Sequence, residues 1–318
     1  MTPIKYAGEL ITAPGLYVDM PMDTYHGQPC DGPSISSSGL RTIWAQSPAH
    51  YYLNSSLNPD REEQEQKKHF NIGRAAHHLL LQGREGFEEQ YAVRPERFPD
   101  FRTNAAKEWR DDMIARGMTI LTDEQLHDIS GMARSLARNP LVKAGILDGD
   151  VERSLIFKDP ETGVWLKSRP DCIPNASGDV ADLKTTTSVA TSSLQRTIED
   201  FDYAMQGALV SMAFDQVMGI PLETFTLVFV EKTAPWCVRV ATLTPEDMLR
   251  GAMQVAAAVK IFAACVEANE WPGPGGDQQD AEFLPMREFK RRAVDDRLEA
   301  LKALPSDLTT PAYEMELS

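Results

Sequence analysis

RPDCIPNASGDVADLKTTTS, residues 169–188, decides how the rest of the chain reads. An aspartate, Asp171, follows a proline; eleven residues on comes Asp182, and two after that Lys184. Successive side chains of a strand point to opposite faces, so residues i and i+2 share one. Asp182 and Lys184 therefore point the same way along a strand at 179–185. The apolar residues around them fall on no single stripe, which suits a strand buried on both faces. PNASG reads as a tight turn that brings Asp171, on the preceding strand 164–173, beside Asp182. Charges in a buried sheet are costly to desolvate, and adjacent carboxylates raise one another's pKa unless a cation lies between them. Two readings stay open at this point: the groups neutralise one another in a structural cluster, or they share a metal ion. A hard divalent ion such as Mg²⁺ binds through oxygen, keeps several waters and takes substrate phosphate, whose oxygens it polarises. Lys184 would then stabilise charge developing on the phosphate or orient the attacking water.

Outward from this stretch, the pattern is helices, three strands, a helix, two strands and a helix. Upstream, SISSSGLRTIWAQSPAHYYLN (34–54) starts with serines suited to helix capping, and Pro48 divides it. NPDREEQEQKKHF (58–70) reads as a solvated charged run. FNIGRAAHHLLLQG (70–83) reads as a helix closed by Gly83, and 103–116 and 122–138 as two more. Strand-like segments follow at 151–157, 164–173 and 179–185, with DPETG and PNASG as hairpin connections. Residues 203–219 form an apolar helix, 224–232 and 236–243 two strands, and a long helix starts at the cap Thr244 with Pro245 in its first turn. The order predicts an α/β (α+β) fold with a mixed central sheet and a helical N-terminal part. Expected boundaries are an irregular segment 1–33 with a short strand near GLYVDM, a main domain 34–275 (helical part 34–145, sheet core 150–270), and a tail or arm 276–318.

Two further groups join the acidic pair. In GRAAHH, Gly73 and His77 lie one helical turn apart on one face. The glycine allows close helix approach, and His77 offers an imidazole to a metal or to a water on it; His78 is expected to point elsewhere. Downstream, Tyr203 and Gln206 share a helix face. A glutamine there can hold a water or the lysine, and a tyrosine can stack on a base or bind a phosphate.

The 318 residues carry 42% hydrophobic and 25% charged residues, an ordinary soluble composition with enough chain for one large domain or two. The four cysteines, Cys30, Cys172, Cys237 and Cys265, form no CxxC pair, so a zinc ribbon or iron–sulfur cluster is not expected. No apolar run reaches the roughly 18 residues of a membrane span, and the first residues show no basic-then-apolar leader. A cytoplasmic protein of a bacterial host cell, without membrane partners, is the expectation. A net charge of −15 argues against a protein that coats nucleic acid, but not against one that grips it in a single cleft.

Together, G-x-x-x-H (73–77), R-P-D (169–171), D-L-K-T-T (182–186) and Y-x-x-Q (203–206) resemble the PD-(D/E)xK nuclease superfamily. More closely they resemble the phage and prophage RecE-type exonucleases, the exodeoxyribonuclease VIII group. ISSSGLRTIWAQSPAHYYL (35–53) is similar to that group's opening helix, and the likeness covers roughly 34–275. The resemblance implies a restriction-endonuclease-like core and a Mg²⁺-dependent exonuclease on double-stranded DNA ends, with Mn²⁺ an expected substitute. It further implies 5′ to 3′ digestion leaving 3′ single strands for recombination, a homo-oligomeric ring, and a single-strand annealing protein as partner. Position by position, it makes His77, Asp171, Asp182 and Lys184 the catalytic core, with Gln206 and Tyr203 assisting. The metal ligands would be His77, Asp171, Asp182 and the carbonyl of Leu183, and the DNA contacts Arg74, Lys167, Arg169 and Thr185. Some family members carry a long N-terminal region, so this chain is expected to be a nuclease module alone. An endonuclease or nickase of the same superfamily, and a catalytically silent DNA-end or partner-binding protein, are the alternatives. In a ring, acidic residues would cover the outside while basic ones line the channel.

Overall fold

Residues 2–62, 72–151, 153–173, 178–276 and 280–302 are described by the computed structural model. The chain divides into two compact units, Met1–Pro274 and Gly275–Ser318.

The first unit begins with β1 (Ile4–Lys5), β2 (Gly15–Val18), α1 (Met22–His26), β3 (Ser34–Ser36), α2 (Ser37–Ala45) and α3 (Pro48–Leu53). Next come α4 (Ile72–His77), which runs on as a π-helical turn His78–Gln82, then α5 (Gly83–Gln90), β4 (Tyr91–Val93) and α6 (Asn104–Ala115). They are followed by β5 (Thr119–Leu121), α7 (Asp123–Arg138), α8 (Pro140–Lys143) and β6 (Asp150–Val151). The sheet region holds β7 (Ser154–Lys158), β8 (Trp165–Ser168), β9 (Cys172–Ile173) and β10 (Asp179–Thr186). It closes with α9 (Thr191–Asp200), α10 (Tyr203–Ala213), β11 (Thr224–Glu231), β12 (Val238–Thr242) and α11 (Pro245–Ala268). The second unit carries α12 (Glu288–Lys302), laced by Arg292–Glu288 and Lys302–Glu299 ion pairs at 3.0 and 2.8 Å.

Local chemistry sets many of these ends. Thr122 and Gln125 form a reciprocal capping box at the start of α7. Thr244 accepts from the Asp247 amide, with Pro245 opening α11. Ser36 occupies the cap position of α2 but makes no side-chain capping bond.

Two larger sheets form among the described residues, one ordered β1-β2-β7-β8-β3 and the other β10-β11-β12. Both mix parallel and antiparallel pairs. The segment 1–33 contains the short strand expected near GLYVDM, as β2, and also supplies β1 and α1 where irregular chain was expected. Residues 164–173, expected as one strand, break into β8 and β9, which belong to different sheets. Pro170 lies at the break and has no N–H to offer a ladder. The DPETG hairpin joins antiparallel β7 and β8 as expected. All but Gly178 of the PNASG turn (174–178) lies outside the described residues, as does most of the charged run 58–70. Gly83 (φ +75°) closes the π-helical turn that ends α4, as expected, and α5 starts at the same residue.

β10 pairs with β11 in parallel along its whole length, from Asp179 opposite Thr224 to Thr186 opposite Glu231. The crossover between them is α9 and α10. One face of this sheet, with Val180, Phe225, Leu227 and Phe229, packs in a core shared with α10, α11 and the first sheet. The other face, with Ala181, Leu183, Val228 and Val230, packs against residues of α4 and α7. Phe225 and Phe229 are at most 1% exposed; burying such a ring contributes about 1.5–3 kcal/mol. The sheet is thus covered on both faces, as the unstriped pattern of β10 requires. At 24 residues and a mean hydropathy of 1.5, α11 has the length and composition to cross a membrane. Its Val255, Val259 and Phe262 instead lie in the core.

Candidate active site

β10 is an edge strand of its sheet. Edge strands leave donors and acceptors unpaired, and here a carboxylate fills the gap: the Leu183 amide donates to Asp171 Oδ2 at 2.6 Å. Asp171 therefore meets β10 from the bend before β9, not from a neighbouring hairpin strand. A strand residue turns its N–H and C=O to the same edge, so the Leu183 carbonyl faces this side too. Its other oxygen, Asp171 Oδ1, lies 3.6 Å from His77 Nδ1, carried by the last residue of α4.

Asp182 and Lys184 share a face of β10, as the spacing predicts, and Lys184 Nζ sits 2.5 Å from Asp182 Oδ2. Gln206 on α10 donates Nε2 to Asp182 Oδ1 at 2.7 Å. The Gln206 Oε1 atom is buried and has no protein partner. Tyr203, one turn earlier, lies with its ring 4.8 Å under the Lys184 ammonium. Asp182 is 1% exposed.

Burial, then the nearby Asp182 charge, push the Asp171 carboxyl up from 3.8 to about 6, even though His77, Lys184 and the Leu183 amide pull it down. For Lys184, burial works against the charged form, but Asp182, Asp171 and Tyr203 outweigh it, so its pKa rises. Burial also raises the Tyr203 phenol.

These groups floor a cleft of about 750 Å³. His77, Asp171, Leu183, Lys184, Thr185 and Tyr203 line it, while Asp182 and Gln206 do not reach its surface. His78, expected to point away, lines the same cleft. Arg169 lines it as well, but its guanidinium is spent on the wall. It donates to Ser154 Oγ and to the Met20 carbonyl, both at 2.8 Å, and lies 4.7 Å over the Tyr25 ring. Lys167 does not line this cleft: it is 2% exposed and donates to the Gly27 carbonyl at 2.6 Å. Its β8 position points it under α1, and burial lowers its pKa to about 8. The side chain of Arg74 lies outside the described residues.

Three residues that the sequence reading passed over also shape the cleft. Lys232 follows β11 and lines the mouth. Phe201 lines it beside Tyr203. Arg41, on α2, donates to the Phe201 carbonyl at 2.7 Å. Only Arg41 lies within a segment flagged by the motifs, and nothing local marks it; all three depend on distant pairings.

Could the site hold a divalent ion? Among the described residues no three His, Cys, Asp or Glu side chains converge as a ready-made metal centre. The donor chemistry fits Mg²⁺ all the same, since that ion commonly takes one or two carboxylates and fills its remaining positions with water and substrate phosphate. Asp171 is a carboxylate whose negative form is disfavoured by burial and by Asp182; a cation beside it would relieve both penalties.

A mixed sheet with helices on both faces, and an edge strand carrying Asp-x-Lys beside a Pro-Asp carboxylate, define a PD-(D/E)xK nuclease-type protein. The chain belongs to the PDDEXK-like domain of unknown function family (DUF3799), whose model matches residues 36–281. Its fold is similar to the crystal structure of a candidate exonuclease from Eubacterium rectale. The TM-score is 0.57 at 13% identity, covering 87% of this chain and 99% of that one. No curated protein matches the sequence.

Proposed function

We propose that this protein is a Mg²⁺-dependent exodeoxyribonuclease that hydrolyses double-stranded DNA from its ends. One observation carries the reading: Asp171 and Lys184 meet on the floor of a cleft at the edge of β10, with Asp182 buried against Lys184 just beneath it. The superfamily membership supports a nuclease. The exonuclease designation of the structural relative, and the resemblance to RecE-type enzymes, support attack from ends.

Asp171, Asp182 and the Leu183 carbonyl would hold the ion, with His77 beside Asp171. When bound, Mg²⁺ supplies the positive charge that a phosphodiester needs on its non-bridging oxygens. The chain's own groups do the rest. Lys184, kept protonated by its carboxylate neighbours, donates to the phosphate as charge builds in the transition state. Gln206 fixes Asp182 through Nε2 and keeps Oε1 free to accept from Lys184 or from a water. Lys232 offers a second cation at the mouth for a flanking phosphate. We further propose, on the RecE resemblance alone, 5′ to 3′ polarity, Mn²⁺ as a substitute, a homo-oligomeric ring, cytoplasmic location and an annealing-protein partner.

A linear duplex labelled at either end, and the same sequence as a covalently closed circle, test the reading in Mg²⁺ and in EDTA. End-first shortening of the linear form only, and only with the ion, is expected. Internal cuts in the circle would make the protein an endonuclease, and an untouched linear duplex would overturn nuclease action.

A further inference from the structure

The catalytic cleft has an aromatic wall that phosphate chemistry does not use. Phe201 is 57% exposed and lines the cleft. Its ring stacks on Tyr203 with centroids 5.7 Å apart and planes 15° from parallel. Tyr203, 8% exposed, carries Lys184 Nζ 4.8 Å from its ring centre. Tyr203 thus contacts both the catalytic lysine and Phe201.

The arrangement is held in place. Asp202, between the two rings, adopts φ 47°, ψ 46°, a left-handed conformation uncommon for a residue with a side chain. That turn ends α9 and starts α10, and it lets residues 201 and 203 face one another. Arg41 locks it from a third element through its bond to the Phe201 carbonyl, and its guanidinium carbon lies 6.0 Å from the Tyr203 ring centre. Scattered exposed apolar residues are ordinary. A phenyl ring fixed in orientation inside a polar catalytic cleft, with the half-exposed Met22 lining the same cleft, is a surface prepared for a flat apolar partner.

We infer that Phe201, backed by Tyr203, is a stacking platform for one unpaired nucleobase of the strand being cut, next to the scissile phosphate; this rests on the nuclease reading above. Bases are the component of DNA with a flat π-face, and every base has one. Stacking therefore grips the strand without selecting sequence, as an enzyme moving along DNA requires. A base removed from its pair and laid on Phe201 also turns its phosphate away from the duplex.

A double cycle tests this. Linear duplexes carry a single abasic residue at each of the first four positions from the cut end, in turn, so that phosphates stay and one base goes. For the wild type, one position is expected to raise KM by about 5- to 150-fold, the range of a base–aromatic stack. Phe201→Ala should raise KM on intact DNA by the same factor and add nothing at that abasic position, while Phe201→Trp keeps the wild-type value. Multiplying losses at every position, or an unchanged KM for Phe201→Ala, would overturn the platform while leaving the nuclease intact. A wild type that cuts no intact duplex would remove both. Phe201 is exposed, so unfolding of Phe201→Ala is monitored by its thermal midpoint; if that falls, the Phe201→Leu variant, which keeps apolar bulk without a π-face, must show the same lost coupling.

Discussion

Replacing Asp171 with asparagine should stabilise the metal-free protein while abolishing its chemistry. The carboxyl titrates near 6 in the folded chain, against an ordinary value of 3.8, because burial and Asp182 disfavour the anion. A carboxyl raised on folding stabilises the native state only while protonated. The contribution is complete below about pH 4 and disappears as pH climbs through about 6. Above that, the two-unit difference amounts to about 3 kcal/mol of destabilisation at 1.36 kcal/mol per unit. Asparagine keeps an oxygen to accept from the Leu183 amide and carries no charge. In EDTA at pH 7.5, Asp171→Asn should therefore melt about 4–5 °C above the wild type. The gap should close as pH falls to 4. Mg²⁺ should raise the wild-type midpoint by mass action and leave the variant unmoved. Thermal unfolding followed by circular dichroism across pH, with and without the ion, reads all three. A variant no more stable than the wild type at pH 7.5, or a gap independent of pH, refutes the electrostatic reasoning.

Lys184→Ala leaves the Asp182 carboxylate buried with Gln206 alone, and breaking such a pair should cost about 3–5 kcal/mol in urea unfolding as well as activity. Gln206→Leu removes the donor that orients Asp182; a 10- to 100-fold rise in the Mg²⁺ concentration for half-maximal cleavage is expected. Gly251→Ala would drive a methyl into the Ala204 carbonyl where α11 crosses α10. The clash is with backbone, so a loss of about 1–3 kcal/mol is expected, together with reduced cleavage, since the displaced helix bears Tyr203 and Gln206. Unfolding curves and rates on the same preparation check both.

The sequence made the acidic core legible because its logic is local. Asp182 and Lys184 share a face through the period of a strand, and Tyr203 and Gln206 through that of a helix. What it concealed depends on long-range pairing. Asp171 reaches β10 from a bend, because Pro170 interrupts the ladder and only the fold places that bend against an open edge. The strands near the N-terminus acquire their sheet from strands more than a hundred residues away, β2 by pairing with β7 and β3 by pairing with β8. α9 (TSSLQRTIED) carries one fully buried apolar residue, Leu194, too little for a periodic signal. Lys167 and Arg169 looked like free cations; in the fold one lies under α1 and the other braces a wall. Lys232, which meets the cleft, sits in no motif.

The central claim is that the carboxylates and the lysine at the edge of β10 cut DNA. Its most direct test is the single-turnover rate at which a linear duplex is cleaved in saturating Mg²⁺ by the wild type and by Asp182→Asn, a change of one atom at the buried end of the site. The account predicts a fall of at least about 10²–10³-fold in a variant that remains folded; equal rates would contradict it.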